Sequence, residues 1–276
     1  SLRDDKENQF LDVVDAIRDH DLDRQLSLPQ LVVCGKQSSG KSSVLEAITR
    51  VPFPRSDTTC TRFVTEYVIL LIPDRSLSKT SITASISADP KKERLLMALA
   101  NLNLRKIVQD ASRAMGLAED GSENRVKFAG DIPCVEIRGP RSPHLTIVDL
   151  PGLIAVNQGE EDDIHIVEAI TDRYIKDERS IILPVVNADI NVQDNGILEK
   201  ARVVNPEGKR TFGIITKPDR IEAGLPNETE WLRLARQTNG AFFKFGKGCH
   251  VLVNHSGQKT KDGTTSTERD RRSFLY

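Results

Sequence analysis

Three short motifs in this chain carry the residue types that bind and act on phosphorylated nucleotides. The first, G-x-x-x-x-G-K-S, fills residues 35–42 and follows an apolar run at 31–34. Its two glycines let the backbone turn tightly and approach an anion, so that successive N–H groups point at phosphates. Lys41 would add a positive charge on those phosphates, and the Ser42 hydroxyl would be a ligand of Mg²⁺. A strand before the loop and a helix after it are the context that such a loop requires. The predicted phosphate-binding residues are Gly35, Lys36, Gln37, Ser38, Ser39, Gly40, Lys41, Ser42 and Ser43.

The second motif is D-x-x-G, residues 149–152, directly after an apolar run at 145–148. Asp149 would hold Mg²⁺ through a water molecule, and the Gly152 N–H would reach the terminal phosphate. The motif is weak alone but strong when it ends a strand downstream of a phosphate loop. Lys41 and Asp149 are 108 positions apart, so a sizeable insertion separates the two motifs.

The third motif is T-K-P-D, residues 216–219, at the end of an apolar run. Asp219 would accept two hydrogen bonds from N1 and N2 of guanine, which adenine cannot supply. We therefore expect selectivity for GTP over ATP on the order of a thousandfold. The aliphatic stem of Lys217 would cover the base. The predicted base-site residues are Thr216, Lys217, Asp219 and Arg220.

A second base-contacting loop is predicted where the last strand ends, at Val253, Asn254 and His255. His255 either stacks or hydrogen-bonds at the nucleotide, or it is a solvated loop histidine.

Residues 51–63 contain two prolines and many hydroxyl side chains, which predicts a loop. A switch GTPase needs a threonine here that completes the Mg²⁺ shell and contacts the terminal phosphate. Thr58, Thr59 and Thr61 are the candidates, and the alternative is a Ser/Thr-rich surface loop.

Alternating strand and helix signals predict an α/β fold that positions these motifs. Strands are predicted at 31–34, 64–72, 80–88, 135–138, 145–148, 180–186 and 211–215, with 80–88 as the antiparallel partner of 64–72. Residues 251–255 are predicted to contain the last strand and the second base-contacting loop. Helices are predicted at 5–26, 43–49, 90–115, 160–175 and 197–204.

Composition excludes several other classes of protein. The chain has 276 residues, 29% of them charged, and a net charge of −1, so no nucleic-acid partner is predicted. Its four cysteines form no C-x-x-C pair, which argues against structural zinc and a disulfide framework and indicates a reducing, cytoplasmic compartment. The longest apolar runs, 68–72 and 181–186, are too short to span a bilayer.

The segments GKQSSGKSSVLEAI, FPRSDTTCTR, LTIVDLPG, GIITKPD and VLVNHS together resemble the GTPase domain of the dynamin superfamily, near the dynamin and Mx proteins and most like fungal dynamin-like members. The resemblance implies a P-loop NTPase fold with a mixed, mostly parallel sheet flanked by helices. It also implies two parts: residues 1–27 as a helix like that of the bundle signalling element, and residues 28–276 as the GTPase domain. A further helix, a stalk and an effector segment would follow outside this chain.

The resemblance further implies catalytic roles. Gln37 would orient the attacking water, and Ser38 would help to hold a monovalent cation, K⁺ or Na⁺, in place of an arginine finger. The switch threonine of the family aligns with Thr61, a Mg²⁺ ligand that also positions the water. Lys41 is the fourth catalytic residue that the resemblance implies, after Gln37, Ser38 and Thr61. Arg55 and Ser56 are implied to contact the nucleotide.

The family also suggests how the domain assembles. Its members form a homodimer across the nucleotide faces, which stimulates hydrolysis and drives membrane remodelling, fission or filament assembly in the whole protein. A loop at 187–196 would reach across, with Asp189 and Asp194 as candidate contacts. Membranes or microtubules would be bound only through regions outside this chain, with a peripheral location on an organelle or the plasma membrane. The alternative is a GTP-dependent switch or scaffold that is slow without a partner.

Three features depart from the family pattern. The family has Gly or Asp where this chain has Lys36, whose side chain is either solvated or changes the charge balance at the phosphates. Ser56 and Thr58 replace glycines whose carbonyls bind the cation. The loop at 187–196 is about two residues longer than in dynamin.

Overall fold

The computed structural model of this chain describes residues 29–49, 67–74, 76–78, 80–87, 97–99, 132–140, 145–153, 161–222 and 224–253. The helix that the sequence predicts over residues 5–26 lies outside the described residues.

The described strands form one mixed sheet. They are β1 (Gln30–Cys34), β2 (Tyr67–Pro73), β3 (Ser81–Ser87), β4 (Met97–Leu99), β5 (Ile132–Gly139), β6 (Leu145–Asp149), β7 (Ser180–Asn187), β8 (Gly213–Thr216) and β9 (Cys249–Leu252). Their order across the sheet is β4-β3-β5-β2-β6-β1-β7-β8-β9. Strands β6, β1, β7, β8 and β9 run parallel, as do β2 and β5, whereas β2–β6, β3–β5 and β3–β4 are antiparallel. The predicted mixed, mostly parallel sheet is confirmed.

The pairing predicted for residues 80–88 is wrong. β3 pairs with β5 and β4, not with β2. β2 is an almost continuous apolar run, YVILLIP, and it lies between β5 and β6 with both edges paired. Sequence proximity favoured a β2–β3 hairpin, but β5 comes from much later in the chain and takes that place.

The helix predicted over 90–115 is also wrong at Met97–Leu99, which forms β4 on the edge of the sheet. Leucines spaced through this stretch gave a helical pattern, but pairing of residues 97–99 with β3 overrides it there. The rest of that prediction lies outside the described residues.

Four helices are described: α1 (Lys41–Thr49), α2 (Glu161–Lys176), α3 (Gly196–Val204) and α4 (Pro226–Arg236). Short 3₁₀ turns occupy Val192–Asp194 and Pro218–Arg220. Helix α4 is not predicted from the sequence, and the predicted bounds begin α1 two residues late and β8 two residues early. Thr211 makes only an isolated bridge with Ile182. No helix in the described part of the chain is both long enough and apolar enough to cross a membrane.

Alternating side chains of the central strands form two cores, one on each face of the sheet. Val33, Leu183 and Val185 pack with Val44 and Leu45 of α1. The opposite face carries the core beneath α2, α3 and α4, whose members include Val32, Cys34, Ile182, Val186, Ile175, Leu198, Trp231 and Leu234. Because both faces are covered, β1, β7 and β8 are apolar along most of their length, as parallel strands usually are.

The parallel strands end at the same edge of the sheet. Val33 is level with Asp149, Cys34 with Pro184, and Thr216 with Asn187 and Leu252. The loops that follow β1, β6, β7, β8 and β9 therefore meet at the carboxyl edge, where ligands bind in open α/β sheets.

Candidate nucleotide site

The loop after β1 is held in a tight turn against the neighbouring strand. A Cβ at Gly35 would lie 2.3 Å from the Val185 oxygen, so only glycine allows this approach. Ser38 (φ 60°) and Gly40 (φ 101°) adopt left-handed backbone conformations, and the Ser39 N–H donates to the Lys36 oxygen at 3.2 Å. Gln37 and Ser38 are exposed at the tip of the loop.

Helix α1 begins directly after this loop. The Gly40 oxygen accepts the N–H groups of Ser43 and Val44 at 3.0 and 3.2 Å, so Lys41 and Ser42 occupy the first turn. The unpaired N–H groups and positive dipole end of a helix favour an anion at this position. The predicted strand–loop–helix order around the phosphate motif is therefore confirmed.

The D-x-x-G segment lies against the phosphate loop through backbone contacts. The Leu150 N–H donates to Val33 O at 3.0 Å, and the Leu153 N–H donates to Gly35 O at 3.1 Å. Leu153 also forms a parallel bridge with Lys36. The structure thus brings two motifs separated by about a hundred residues into one backbone unit.

Gly152 lies close against the phosphate loop. A Cβ added there would lie 2.9 Å from the Gln37 nitrogen and 3.3 Å from Lys41 Nζ. The buried Gly152 therefore fills a gap that has no room for a side chain, and Lys41 Nζ lies beside it.

Beneath the loop, the charges of Lys41 and Asp149 partly compensate each other. Burial raises the pKa of Asp149 from 3.8 to about 6, although the positive charge of Lys41 opposes that rise. Burial lowers the pKa of Lys41, and the charge of Asp149 opposes this fall. Each charged form is thus disfavoured mainly by loss of solvent.

The donor set beneath the loop fits a hard divalent cation. Within the described part of the chain, Asp149 Oδ1 is buried and has no hydrogen-bond donor. A buried carboxylate oxygen without a donor is costly unless a proton or cation satisfies it. Mg²⁺ prefers oxygen ligands, and Ser42 supplies a hydroxyl in the adjacent first turn of α1.

The T-K-P-D motif is tied to the phosphate loop by a buried hydroxyl. Thr216 is fully buried, and its Oγ1 donates to Ser39 O at 2.6 Å, with Val186 O as a second acceptor at 3.2 Å. The Ala188 N–H donates to Thr216 O at 2.9 Å. Thr216 is predicted from the sequence as a base-site residue, and its hydrogen bond to the phosphate loop is not predicted. The one sequence signal for that bond is the threonine at the first position of the motif.

The rest of this motif leaves the sheet in a sharp turn. Lys217 has a left-handed backbone (φ 55°, ψ 40°), and the 3₁₀ turn Pro218–Arg220 follows. Asp219 is exposed on that turn, where a ligand could reach it.

The loop after β7 contributes a second carboxylate to this region. Asp189 Oδ2 lies 3.3 Å from Lys217 Nζ and 3.2 Å from Arg220 Nη1, and Asp189 Oδ1 accepts a hydrogen bond from Asn187 Nδ2. From the sequence, Asp189 is predicted only as a contact to a second molecule. Asp194, the other candidate, accepts a hydrogen bond from Asn191 Nδ2 at 3.0 Å. Contacts of either residue with a second molecule stay predictions.

The remaining site predictions divide into two groups. Val253 follows β9 at the same edge of the sheet as the three motifs. The other candidates lie outside the described residues: Arg55, Ser56, Thr58, Thr59, Thr61, Asn254 and His255.

Comparison with known proteins agrees with this geometry. A family model described as the dynamin family matches residues 31–218. The chain is 30% identical over 276 residues to the interferon-induced GTP-binding protein MxE of Danio rerio, an alignment that covers 98% of this chain and 41% of that protein. It is 31% identical over 223 residues to the interferon-induced GTP-binding protein Mx2 of Sus scrofa, covering 80% of this chain and 29% of that protein.

A shorter relative is covered more completely. The chain is 32% identical over 222 residues to the interferon-induced GTP-binding protein Mx of Perca fluviatilis, covering 80% of this chain and 69% of that protein. The chain spans less than half of the Danio rerio and Sus scrofa proteins. Since the family model covers most of the chain, including the phosphate loop, the D-x-x-G segment and most of the T-K-P-D motif, this chain belongs to the dynamin family.

Proposed function

We propose that this chain binds GTP and hydrolyses it to GDP and phosphate. The observation that carries the proposal is the link from Thr216 Oγ1 to Ser39 O, which joins a base-reading motif to a phosphate loop at 2.6 Å. The relatives described above are named as GTP-binding proteins, which supports guanine nucleotides as the ligand.

Different residues of this chain would bind the phosphates and the Mg²⁺ ion. The N–H groups of the phosphate loop and Lys41 would bind the β- and γ-phosphates, and the Gly152 N–H would contact the γ-phosphate. Ser42 would hold Mg²⁺ directly and Asp149 would hold it through a water molecule, with Thr61 proposed as a further ligand. Bound Mg²⁺ would supply positive charge to the phosphate oxygens.

Gln37 and Ser38 carry the proposed hydrolytic step. Both are exposed in the phosphate loop, and the backbone of Gln37 lies beside Gly152. Gln37 would orient a water for in-line attack on the γ-phosphorus while the bond to the β-phosphate oxygen breaks. Ser38 would help to hold K⁺ or Na⁺, whose charge would stabilise the transition state as an arginine finger does.

Guanine recognition is assigned to the exposed turn after β8. Asp219 would accept hydrogen bonds from guanine N1 and N2, and the stem of Lys217 would cover the base. Val253, Asn254 and His255 are proposed as the second base-contacting segment. Replacing Asp219 by Asn should remove most of the preference for GTP over ATP, and an unchanged preference in a binding competition would refute this assignment.

The finer activity of the whole protein is also a proposal. We propose that two GTPase domains pair across their nucleotide faces, that pairing speeds hydrolysis, and that the whole protein uses this cycle in membrane remodelling, fission or filament assembly. A cytoplasmic or peripheral membrane location is proposed with it.

GTP turnover per molecule, measured over a wide range of protein concentration with Mg²⁺ and K⁺ or Na⁺, tests the pairing. Specific activity that rises with concentration supports it. Activity that is flat and slow supports instead a partner-dependent switch or scaffold. Lys41→Ala, which removes phosphate binding, gives the background rate.

A further inference from the structure

Asp189 holds both cationic side chains of the base-reading turn. Its Oδ2 lies 3.3 Å from Lys217 Nζ and 3.2 Å from Arg220 Nη1. The side chains of Asp189 and Lys217 are each only 22% exposed, whereas that of Arg220 is 61% exposed. The Asp189–Lys217 pair is thus shielded enough from solvent to hold a preferred geometry.

The Asp189 carboxylate is held in place by a residue of the central sheet. Asp189 Oδ1 accepts a hydrogen bond from Asn187, the last residue of β7, which pairs in register with Thr216. The Ala188 N–H donates to Thr216 O at 2.9 Å. Asp189 therefore occupies a fixed place beside the turn, whereas the turn itself is exposed.

Asp219 needs to stay free of cations if it is to read guanine. It lies between Lys217 and Arg220 in the sequence, so the two nearest positive charges along the chain flank it. A carboxylate that pairs with an ammonium or guanidinium group has fewer lone pairs available to the base N–H groups. Among the contacts of the described residues, Asp219 has no ion pair or hydrogen bond, and both flanking cations are engaged at Asp189.

We propose that Asp189 is a positioning residue for guanine specificity: it holds Lys217 and Arg220 away from Asp219, which keeps that carboxylate available to the base. This inference rests on the proposed guanine-reading function. It assigns to Asp189 a role within its own chain, separate from any contact with a second molecule.

The test is Asp189→Asn, which keeps the size of the side chain and an acceptor for Asn187 but removes the negative charge. The dissociation constants of GDP and ADP are measured by displacement of a fluorescent guanine nucleotide. In the variant a cation is free to pair with Asp219, so the affinity for GDP should fall about three- to tenfold. The affinity for ADP should change less than about twofold, because adenine makes no use of Asp219.

Ionic strength separates this effect from a general loss of structure. Competition between charged side chains is screened by salt, so the GDP defect of Asp189→Asn should shrink between about 0.05 M and about 0.5 M NaCl. Asp172→Asn is the matched control, because Asp172 also pairs with two cations, Lys176 and Lys200, and lies on α2 outside the site. The control should leave both affinities unchanged.

The outcomes distinguish this inference from the proposed function. Equal losses for GDP and ADP, a defect that salt does not reduce, or no defect at all would overturn the role of Asp189. Absence of any preference for GDP over ADP in the unmodified chain would overturn the guanine-reading function and this inference with it.

Discussion

Replacing Thr216 by Val tests the connection between the base-reading turn and the phosphate loop. Valine matches the shape of threonine, so packing is kept while the hydrogen bond to Ser39 O at 2.6 Å is lost. Thr216 is 0% exposed, so water cannot replace the lost donor.

The size of the effect follows from these contacts. Loss of a buried hydrogen bond costs about 1 kcal/mol, and leaving a buried acceptor without a partner adds about 1 kcal/mol or more. The free energy of unfolding should therefore fall by about 2 kcal/mol, which in a domain of this size lowers Tm by about 4–8 °C. Since Ser39 lies in the phosphate loop, GDP should also bind more weakly, by about five- to thirtyfold.

Thr216→Ser is the control, because serine keeps the hydroxyl and loses only a methyl group. Denaturant unfolding without nucleotide gives the stability of each variant, and calorimetric titration with GDP gives the affinity. If Thr216→Ser is as damaging as Thr216→Val, packing matters rather than the hydrogen bond. If Thr216→Val binds GDP as tightly as the unmodified chain, the hydroxyl does not align the two motifs.

The other predictions concern the contact between the phosphate loop and the D-x-x-G segment. At a protein concentration too low for domains to pair, Gly152→Ala should reduce GTP turnover at least tenfold, because its Cβ would lie 2.9 Å from the Gln37 nitrogen. Gly196→Ala, where no atom lies within 4 Å, should leave turnover unchanged under the same conditions. Asp149 takes up a proton on folding between pH 3.8 and about 6, so the stability of the nucleotide-free chain should fall as pH rises through that window. Asp149→Asn should abolish that pH dependence and raise the free energy of unfolding, measured without nucleotide near pH 7.5, by about 1–3 kcal/mol. Mg²⁺-dependent turnover should be lost in the same variant. A variant less stable than the unmodified chain would contradict the cost assigned to the buried Asp149 charge. Lys41→Ala should abolish GTP binding in a filter or calorimetric assay, and retained micromolar affinity would refute the phosphate-loop assignment.

Local sequence signals were sufficient for the three motifs and the strands that carry them. The phosphate-loop motif has glycines where the backbone must turn tightly, so it can be found from the sequence. Its flanking strand and helix have clear apolar patterns. The order of strands was harder, because β5 inserts between β2 and β3 from more than forty residues away. Nothing in the alternation of residues 80–88 indicates which strand will pair with it.

At the candidate site, too, the sequence indicated some features and not others. The motifs and their flanking strands indicated which loops meet at the carboxyl edge of the sheet, but not the contacts that join one motif to another. The bond from Thr216 to Ser39 spans 177 positions, and the pairing of Asp189 with Lys217 spans 28. Such contacts depend on strand register, which fixes neighbours at the sheet edge only after the chain has folded. The missed helix α4 has a different cause, since only Trp231 and Leu234 of its eleven residues are buried.

The pairing of β1 with its two neighbours has a consequence for how the domain folds. Leu31 is level with Ile147 and Ile181, which lie 116 and 150 positions later in the chain. Forming contacts between residues this distant in sequence costs loop-closure entropy, and such contacts are associated with slow folding. During synthesis at about 5–20 residues per second, β1 leaves the ribosome several seconds or more before either neighbour exists. The phosphate loop therefore has no supporting strands in the nascent chain, and nucleotide affinity should arise late, in one cooperative step, rather than grow as the chain lengthens.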